Sequence, residues 1–313
     1  MFYSFSSGTS LGEDKTTLTL LSDADGNRDT LAITSPAILQ INIHGVIGDP
    51  QHLTADTIED ILLDSRAGLL KNNRVKGILI HFNTPGGAVF DSDNIYCMLK
   101  DYKAKYKVPV FGYVDGLCAS GGMYIASATD KIFGSPSSII GSVGVVSGPF
   151  LNVSDALVKL GVQARTLTEG LDKDMMNPLR PWKEGEDASL KAVIANMYDR
   201  FVEVVISGRP RMDKEKLIHV YGAQIFDGTK AEQFGYIDHA MSSRNEALRA
   251  LLNEAHIDTT KPYQVVSLTP RKGILSQLFD NKTAGLLSGQ IVHRFDLGQS
   301  KLRDPFAYLY IAE

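Results

Sequence analysis

The first chemical signal in the chain is a serine among small residues. Gly116-Leu117-Cys118-Ala119-Ser120-Gly121-Gly122-Met123-Tyr124 follows directly on the apolar run Val108–Val114. A short apolar run of this kind reads as a buried strand, and the residues after it as the first turn of a helix. A hydroxyl at such a junction is exposed for nucleophilic attack. The glycines remove side-chain bulk around it and leave backbone N–H groups free to receive a negative oxygen. A second glycine pair, in Asn83-Thr84-Pro85-Gly86-Gly87, follows the apolar run Val75–Phe82. Two strand-to-glycine junctions, one of them carrying a serine, suggest an acyl-transfer site.

A serine nucleophile needs a base. Histidine is the first option, and the chain has His44, His52, His81, His219, His239, His256 and His293. None lies in the run Ile132–Ser154 downstream of the serine, and His81 sits inside an apolar run, where it reads as a packed core residue. Lysine is the second option, in the form of Lys173 within Glu169-Gly170-Leu171-Asp172-Lys173-Asp174. A free lysine, with a pKa near ~10.4, is protonated at neutral pH and cannot act as a base. Full burial can lower that value by about 3–5 units. A drop of about 3 units is worth roughly 4 kcal/mol, which a dry loop or subunit interface could supply. The neutral amine would take the serine proton and later give it to the leaving amine. Asp172 and Asp174 flank Lys173 and favour its charged form, so spacing alone favours a solvated loop lysine. Ser142, in Ile140-Gly141-Ser142-Val143-Gly144-Val145, could orient a neutral lysine, although on its own it reads as a turn serine.

These residues must be held by an alternation of strands and helices. Strand-like runs are Ile38–Ile47, Val75–Phe82, Val108–Val114, Lys131–Phe133 and Val162–Leu167. Helical periodicity appears near 54–72 (Ile58, Ile61, Leu62, Leu69, Leu70), near 92–106 (Ile95, Met98, Leu99, Tyr102) and over about 186–208. Strands separated by helices indicate parallel β-α-β units with helices outside the sheet. Ligands in such folds sit at the carboxyl ends of the strands, where both glycine junctions lie. Residues 168–185 break the pattern with Pro178, Pro181 and the single tryptophan, and read as an ordered loop with a purpose or else as a plain surface loop.

Bulk composition narrows the function classes. The 313 residues are 43% hydrophobic and 22% charged, as in an ordinary globular protein. With 32 Lys+Arg against 36 Asp+Glu the net charge is −4, which implies no general attraction to nucleic acid or anionic lipid. Cys97 and Cys118 form neither a disulfide framework nor a metal-ligand spacing. No cofactor is expected. The N-terminus lacks a secretory pattern. The uncharged part of Ile132–Ser154 is rich in Gly and Ser and carries Pro136 and Pro149, so it reads as buried core rather than a spanning helix. The chain reads as soluble and cytoplasmic, with any membrane contact peripheral.

Taken in order, Asn83-Thr84-Pro85-Gly86-Gly87, Ala119-Ser120-Gly121-Gly122-Met123-Tyr124, Gly141-Ser142-Val143-Gly144-Val145, Lys173-Asp174 with Pro178-Leu179-Arg180, and Ala231–Asp238 resemble the signal peptide peptidase A family of serine proteases. That family belongs to the superfamily of Clp proteases and crotonases, and the resemblance covers about 38–237. It reverses the reading of Lys173. It implies a repeated β-β-α superhelix with a parallel sheet and outer helices. It implies Ser120 as nucleophile, Lys173 as general base and Ser142 as the serine that orients the lysine. Gly86 or Gly87 would be oxyanion donors, with Gly121 contributing its N–H. It further implies a homo-oligomer, an octamer for a chain with one copy of the motif set, in which serine and lysine meet across subunits. The implied substrates are signal-peptide remnants and other hydrophobic peptides with small or apolar residues beside the scissile bond.

Met123 and Cys118 depart from the family pattern; Cys118 reads as a packed small hydrophobe. Two alternatives stay open. One is a crotonase-type acyl-CoA hydratase or isomerase, which would use carboxylates and would not need Ser120; the other is a non-catalytic scaffold. The expected organisation is an N-terminal arm over 1–35, a catalytic domain over 36–255 and a tail over 256–313, whose apolar end 306–312 would need a groove to lie in.

Overall fold

The structure, a computed structural model, describes residues 16–29, 34–50 and 53–270. The apolar 306–312 segment, the groove expected for it and most of the N-terminal arm lie outside the described residues. In chain order the strands are β1 (Thr16–Leu21), β2 (Ala37–His44), β3 (Val75–Thr84), β4 (Val110–Ala119), β5 (Lys131–Gly134), β6 (Ile139–Gly141), β7 (Ile225–Asp227) and β8 (Gln264–Pro270). The helices are α1 (Ala55–Asp64), α2 (Val89–Tyr106), α3 (Gly121–Ala126), α4 (Ser154–Lys159), α5 (Ala188–Gly208), the single turn α6 (Lys214–Lys216), α7 (Gly228–Phe234) and α8 (Arg244–Glu254).

The strands form one mixed sheet in the order β1-β8-β2-β3-β4-β6-β7, with β5 also paired to β4. The pairs β2–β3, β3–β4, β4–β5, β4–β6 and β2–β8 are parallel, and only β1–β8 and β6–β7 are antiparallel. This is the mostly parallel α/β architecture expected from the sequence. The central strands are almost unbroken in Ile, Leu, Val and Phe because helices cover both of their faces. On one face Ile58, Ile61, Ile95, Leu99, Ile125 and Val205 pack onto Leu39, Ile41, Ile78 and Ile80. On the other, Leu248, Leu251 and Leu252 of α8 pack onto Ile38, Leu79, Phe111 and Phe133. Helix α8 starts with a full capping box between Ser243 and Glu246.

Four expectations from the sequence need correction or refinement. The helix expected near 54–72 stops at Asp64, and only Gly68–Leu70 resumes as a short 3₁₀ turn. Val162–Leu167 is not a strand: it carries no regular secondary structure, and Val162 and Leu167 stand exposed. Helix α5 buries only its C-terminal half, Phe201, Val202, Val204 and Val205, while Val193 is exposed. Residues 264–270, within the segment expected to be a tail, form β8 inside the sheet. Among the described residues no helix is long and apolar enough to cross a membrane.

His81 lies in β3, stacked on Tyr113 at 5.5 Å and edge-on to His44 at 4.7 Å. Burial above all, then the neighbouring His44 and Arg244, pushes its pKa down to about 4, against the pull of Asp115. The unfolded chain therefore binds a proton that the folded one refuses. This costs nothing above pH 6.5 and costs the folded state progressively more between pH 6.5 and about 4. We expect urea unfolding to show a loss of about 2 kcal/mol between pH 7 and pH 4.5 that His81→Gln largely removes. An unchanged pH slope in that variant would refute the assignment.

Candidate active site

Strand β4 ends at Ala119 and α3 begins at Gly121, so Ser120 is the corner between them, with φ 52 and ψ −120. Positive φ in a residue other than glycine costs on the order of 1–3 kcal/mol and persists only where the surroundings enforce it. Here they do. The Ser120 N–H donates to Gly141 O at 3.0 Å, and Ser120 O accepts from Tyr124 N at 3.0 Å. All six residues of α3 are buried. Tyr124 donates its hydroxyl to Asp93 and packs its ring on Tyr96 and Phe201, which fixes α3 between α2 and α5.

Ser142 reaches the same place from the neighbouring strand. Ala119 pairs with Gly141 in the β4–β6 ladder, so Ser120 and Ser142 are the residues that follow that pair on the two strands. Ser142 also has positive φ, 57, and its N–H is held by Gln224 O at 2.7 Å. Both serines thus stand at enforced corners where paired strands end.

The glycine loop after β3 closes over the Ser120 corner. A Cβ at Gly86 would stand 2.7 Å from Gly121 N and from Ser120 Cβ, and φ there is +95, so glycine is required twice over. Gly87 packs its α-carbon against the backbone of Ile47, which bridges to it as a short parallel extension of the sheet. Gly86 N–H is engaged by Thr84 Oγ1 at 3.1 Å. No described acceptor takes the N–H of Gly87 or of Gly121, the latter an unpaired donor of the first helical turn. Gly87 N is 3.4 Å from where a Cβ on Gly121 would be, so the two free donors belong to one small space.

Lys173 is placed differently. It is exposed, on the turn 171–176, and its own N–H bonds to Gly170 O at 3.4 Å. Among the described residues no hydrogen bond or ion pair links it to Ser120 or Ser142. One copy of the chain therefore brings together Ser120, Ser142, Gly86, Gly87 and Gly121, and leaves Lys173 outside the group. Clefts of about 700 and 610 Å³ open beside residues such as Lys107, Val108 and Lys76, near the start of the strands, and none of their lining residues belongs to the Ser120 group.

Two supporting residues have roles that the sequence did not reveal, although Thr84 lies within the glycine motif. Buried Ser92 of α2 donates to Ala88 O at 2.9 Å, and its Oγ occupies the space that any side chain on Gly121 would need. Thr84 fills the equivalent space at Gly122 and donates to Gly45 O at 2.6 Å. Burial pushes the Cys118 thiol up, so it stays protonated and packs as a small apolar group. The motif Ala231–Asp238 is structural: Tyr236 is fully buried, and Asp238 accepts from Arg209 at 2.7 Å and from Ile132 N at 2.8 Å. Among the described residues no group of three or more His, Cys, Asp or Glu is placed to hold a metal ion.

A methyl group at position 121 would collide with Ser92 Oγ, so Gly121→Ala should slow the reaction of Ser120 with a fluorophosphonate at least tenfold. Adding Ser92→Ala should restore part of the rate. Labelling of Gly121→Ala at the wild-type rate would show that the corner tolerates movement.

Comparison with known proteins bears on this arrangement. Residues 102–258 match the family model Peptidase family S49, and residues 51–140 match the Clp protease model. A provisionally assigned signal peptide peptidase SppA from Enterococcus faecium is 32% identical over 283 residues, covering 87% of this chain and 80% of that one. A Na(+)/H(+) antiporter NhaA from Brucella abortus is 30% identical over 243 residues, 76% of this chain, but this chain spans only 31% of the antiporter. Among solved structures a ClpP1 variant from Listeria monocytogenes aligns with a TM-score of 0.43 and 18% identity, over 67% of this chain and 94% of that one. The strained serine corner and its glycine loop thus sit within a chain that belongs to peptidase family S49.

Proposed function

We propose that the protein is a serine endopeptidase in which Ser120 is the nucleophile and Lys173 of a neighbouring copy is the general base. The observation that carries this reading is the Ser120 corner itself, flanked by the unclaimed N–H groups of Gly87 and Gly121. Ser120 Oγ attacks the peptide carbonyl carbon and its proton passes to the neutral Lys173 amine. The carbonyl oxygen becomes an oxyanion, and the two glycine N–H groups stabilise it. Collapse breaks the C–N bond, and Lys173 returns its proton to the leaving amine. Water then repeats the sequence on the acyl-enzyme. Ser142, at the adjacent strand end, orients the amine.

A base from a second copy is supported by the exposed apolar residues on the segment that carries Lys173. Val146, Leu151, Val158, Leu160, Leu167 and Leu171 are each more than 70% exposed, all on the excursion between β6 and α5. A patch of that kind needs a cover, and the burial that a covering copy provides is what a lysine needs to lose its proton. A preference for apolar peptides is supported by Val46, Val89 and Phe90, exposed on either side of the glycine loop. Signal-peptide remnants fit that preference, and the Enterococcus relative carries the name signal peptide peptidase.

Ser120→Ala and Lys173→Ala should each lower hydrolysis of a short apolar peptide by more than a hundredfold. Co-expressed, the two inactive forms should assemble into particles that regain a measurable fraction of activity. Retained activity in Lys173→Ala would end the dyad; mixed particles that stay inactive would end the cross-subunit arrangement.

A further inference from the structure

Lys173 sits on a turn that ought to be hard to keep in place. Residues 168–187 contain no regular element, and most of their side chains face solvent. Asp172 and Met176, near the two ends of the turn, both have positive φ, 53 and 57, and neither is glycine. Such a backbone relaxes unless something outside it holds it.

One side chain does most of the holding. Arg180 Nε donates to Asp174 Oδ2 at 2.7 Å, and its Nη2 donates to Asp174 Oδ1 at 3.1 Å and to Asp174 O at 2.9 Å. The same Nη2 reaches Glu186 Oε2 at 2.6 Å, and Nη1 reaches Pro181 O at 2.9 Å. Glu186, its side chain only 3% exposed, is the buried end of this tie. The Arg180 guanidinium holds both carboxyls below the usual carboxylate range. Bonds to main-chain carbonyls extend the anchor to the rest of the excursion: the Asn152 side-chain Nδ2 donates to Arg180 O at 2.8 Å, and Val153 N donates to Pro178 O at 2.8 Å. A planar fork that grips a carboxylate with two bonds fixes orientation as well as distance, which a lysine in its place cannot do.

We propose that Arg180 is a positioning residue for Lys173: by clamping Asp174 to Glu186 it sets the turn from which the lysine projects into the neighbouring site. The proposal rests on Lys173 being the base. The clamp also has a charge consequence. Asp174 is adjacent to Lys173 and would otherwise be a ready counter-ion for its ammonium. With both oxygens engaged by Arg180 it is withdrawn from that role, which suits a lysine that must become neutral. The clamp therefore works on the geometry and the charge of the base without touching substrate.

The test uses the assembled protein and a soluble apolar peptide. Arg180→Gln should lower kcat at least tenfold with KM within twofold of wild type and with particle size unchanged. Arg180→Lys should fall between the two. Asp174→Asn should produce a similar loss, and the double variant should lose no more than the worse single one, because both act through one clamp. Wild-type kcat in Arg180→Gln, a loss accompanied by dissociation of the particle, or multiplication of the two single effects would each overturn the proposal. Lys173→Ala run in parallel separates the two failures. If that variant keeps its activity, the dyad itself falls. If it is inactive while Arg180→Gln keeps its kcat, only the positioning role falls.

Discussion

Everything about the site depends on one unfavourable backbone conformation. Ser120 leaves β4 and enters α3 without an intervening loop, and it does so as a side-chain-bearing residue at positive φ. The surroundings exist to enforce it. The ladder between β4 and β6 pins its N–H, the buried α3 pins its carbonyl, and Gly86 lies so close that no side chain could be tolerated there. In the same close packing the Gly87 and Gly121 N–H groups have no described acceptor. Strain at the corner and free donors beside it are two results of one packing arrangement.

The parts of this arrangement that could be read from the sequence are those encoded locally. Apolar runs ending in glycine pairs marked the ends of β3 and β4, and the serine between small residues marked the corner, because strand period and glycine freedom act over a few residues. What could not be read depends on distant partners. Ser92 is 29 positions before Gly121 and looks like any helical serine, yet it fills the space beside that glycine. Gln264–Pro270 looked like part of a tail because a strand is recognised by its neighbours, and its neighbours β1 and β2 are more than 200 residues earlier. Val162–Leu167 failed in the opposite way: its residues suit a strand, but they pair with none of the described strands and stand largely exposed.

The excursion between β6 and α5 differs in character from the rest of the molecule. The central strands bury their apolar residues almost completely, whereas the excursion displays many of its own. Its order comes from polar ties instead, with Arg180 at the centre and Trp182 Nε1 donating to Asn177 O at 2.9 Å. A segment held rigid by hydrogen bonds but apolar on its surface is pre-shaped for contact. It loses little conformational freedom when covered, so more of the free energy of burial remains for association.

The position of β8 has a consequence for synthesis. Strand β2 is among the first elements to leave the ribosome, but the neighbour that completes it on one side, β8, is among the last described. Until then β2 carries a bare row of N–H and C=O groups beside a highly apolar face, the kind of edge that recruits foreign strands. Contacts this far apart in sequence also form slowly. The nascent chain is thus open to misassociation for most of its translation. Its last described strand is a late-fitting closure, after which β1, antiparallel to β8, becomes the outer rim of the described sheet.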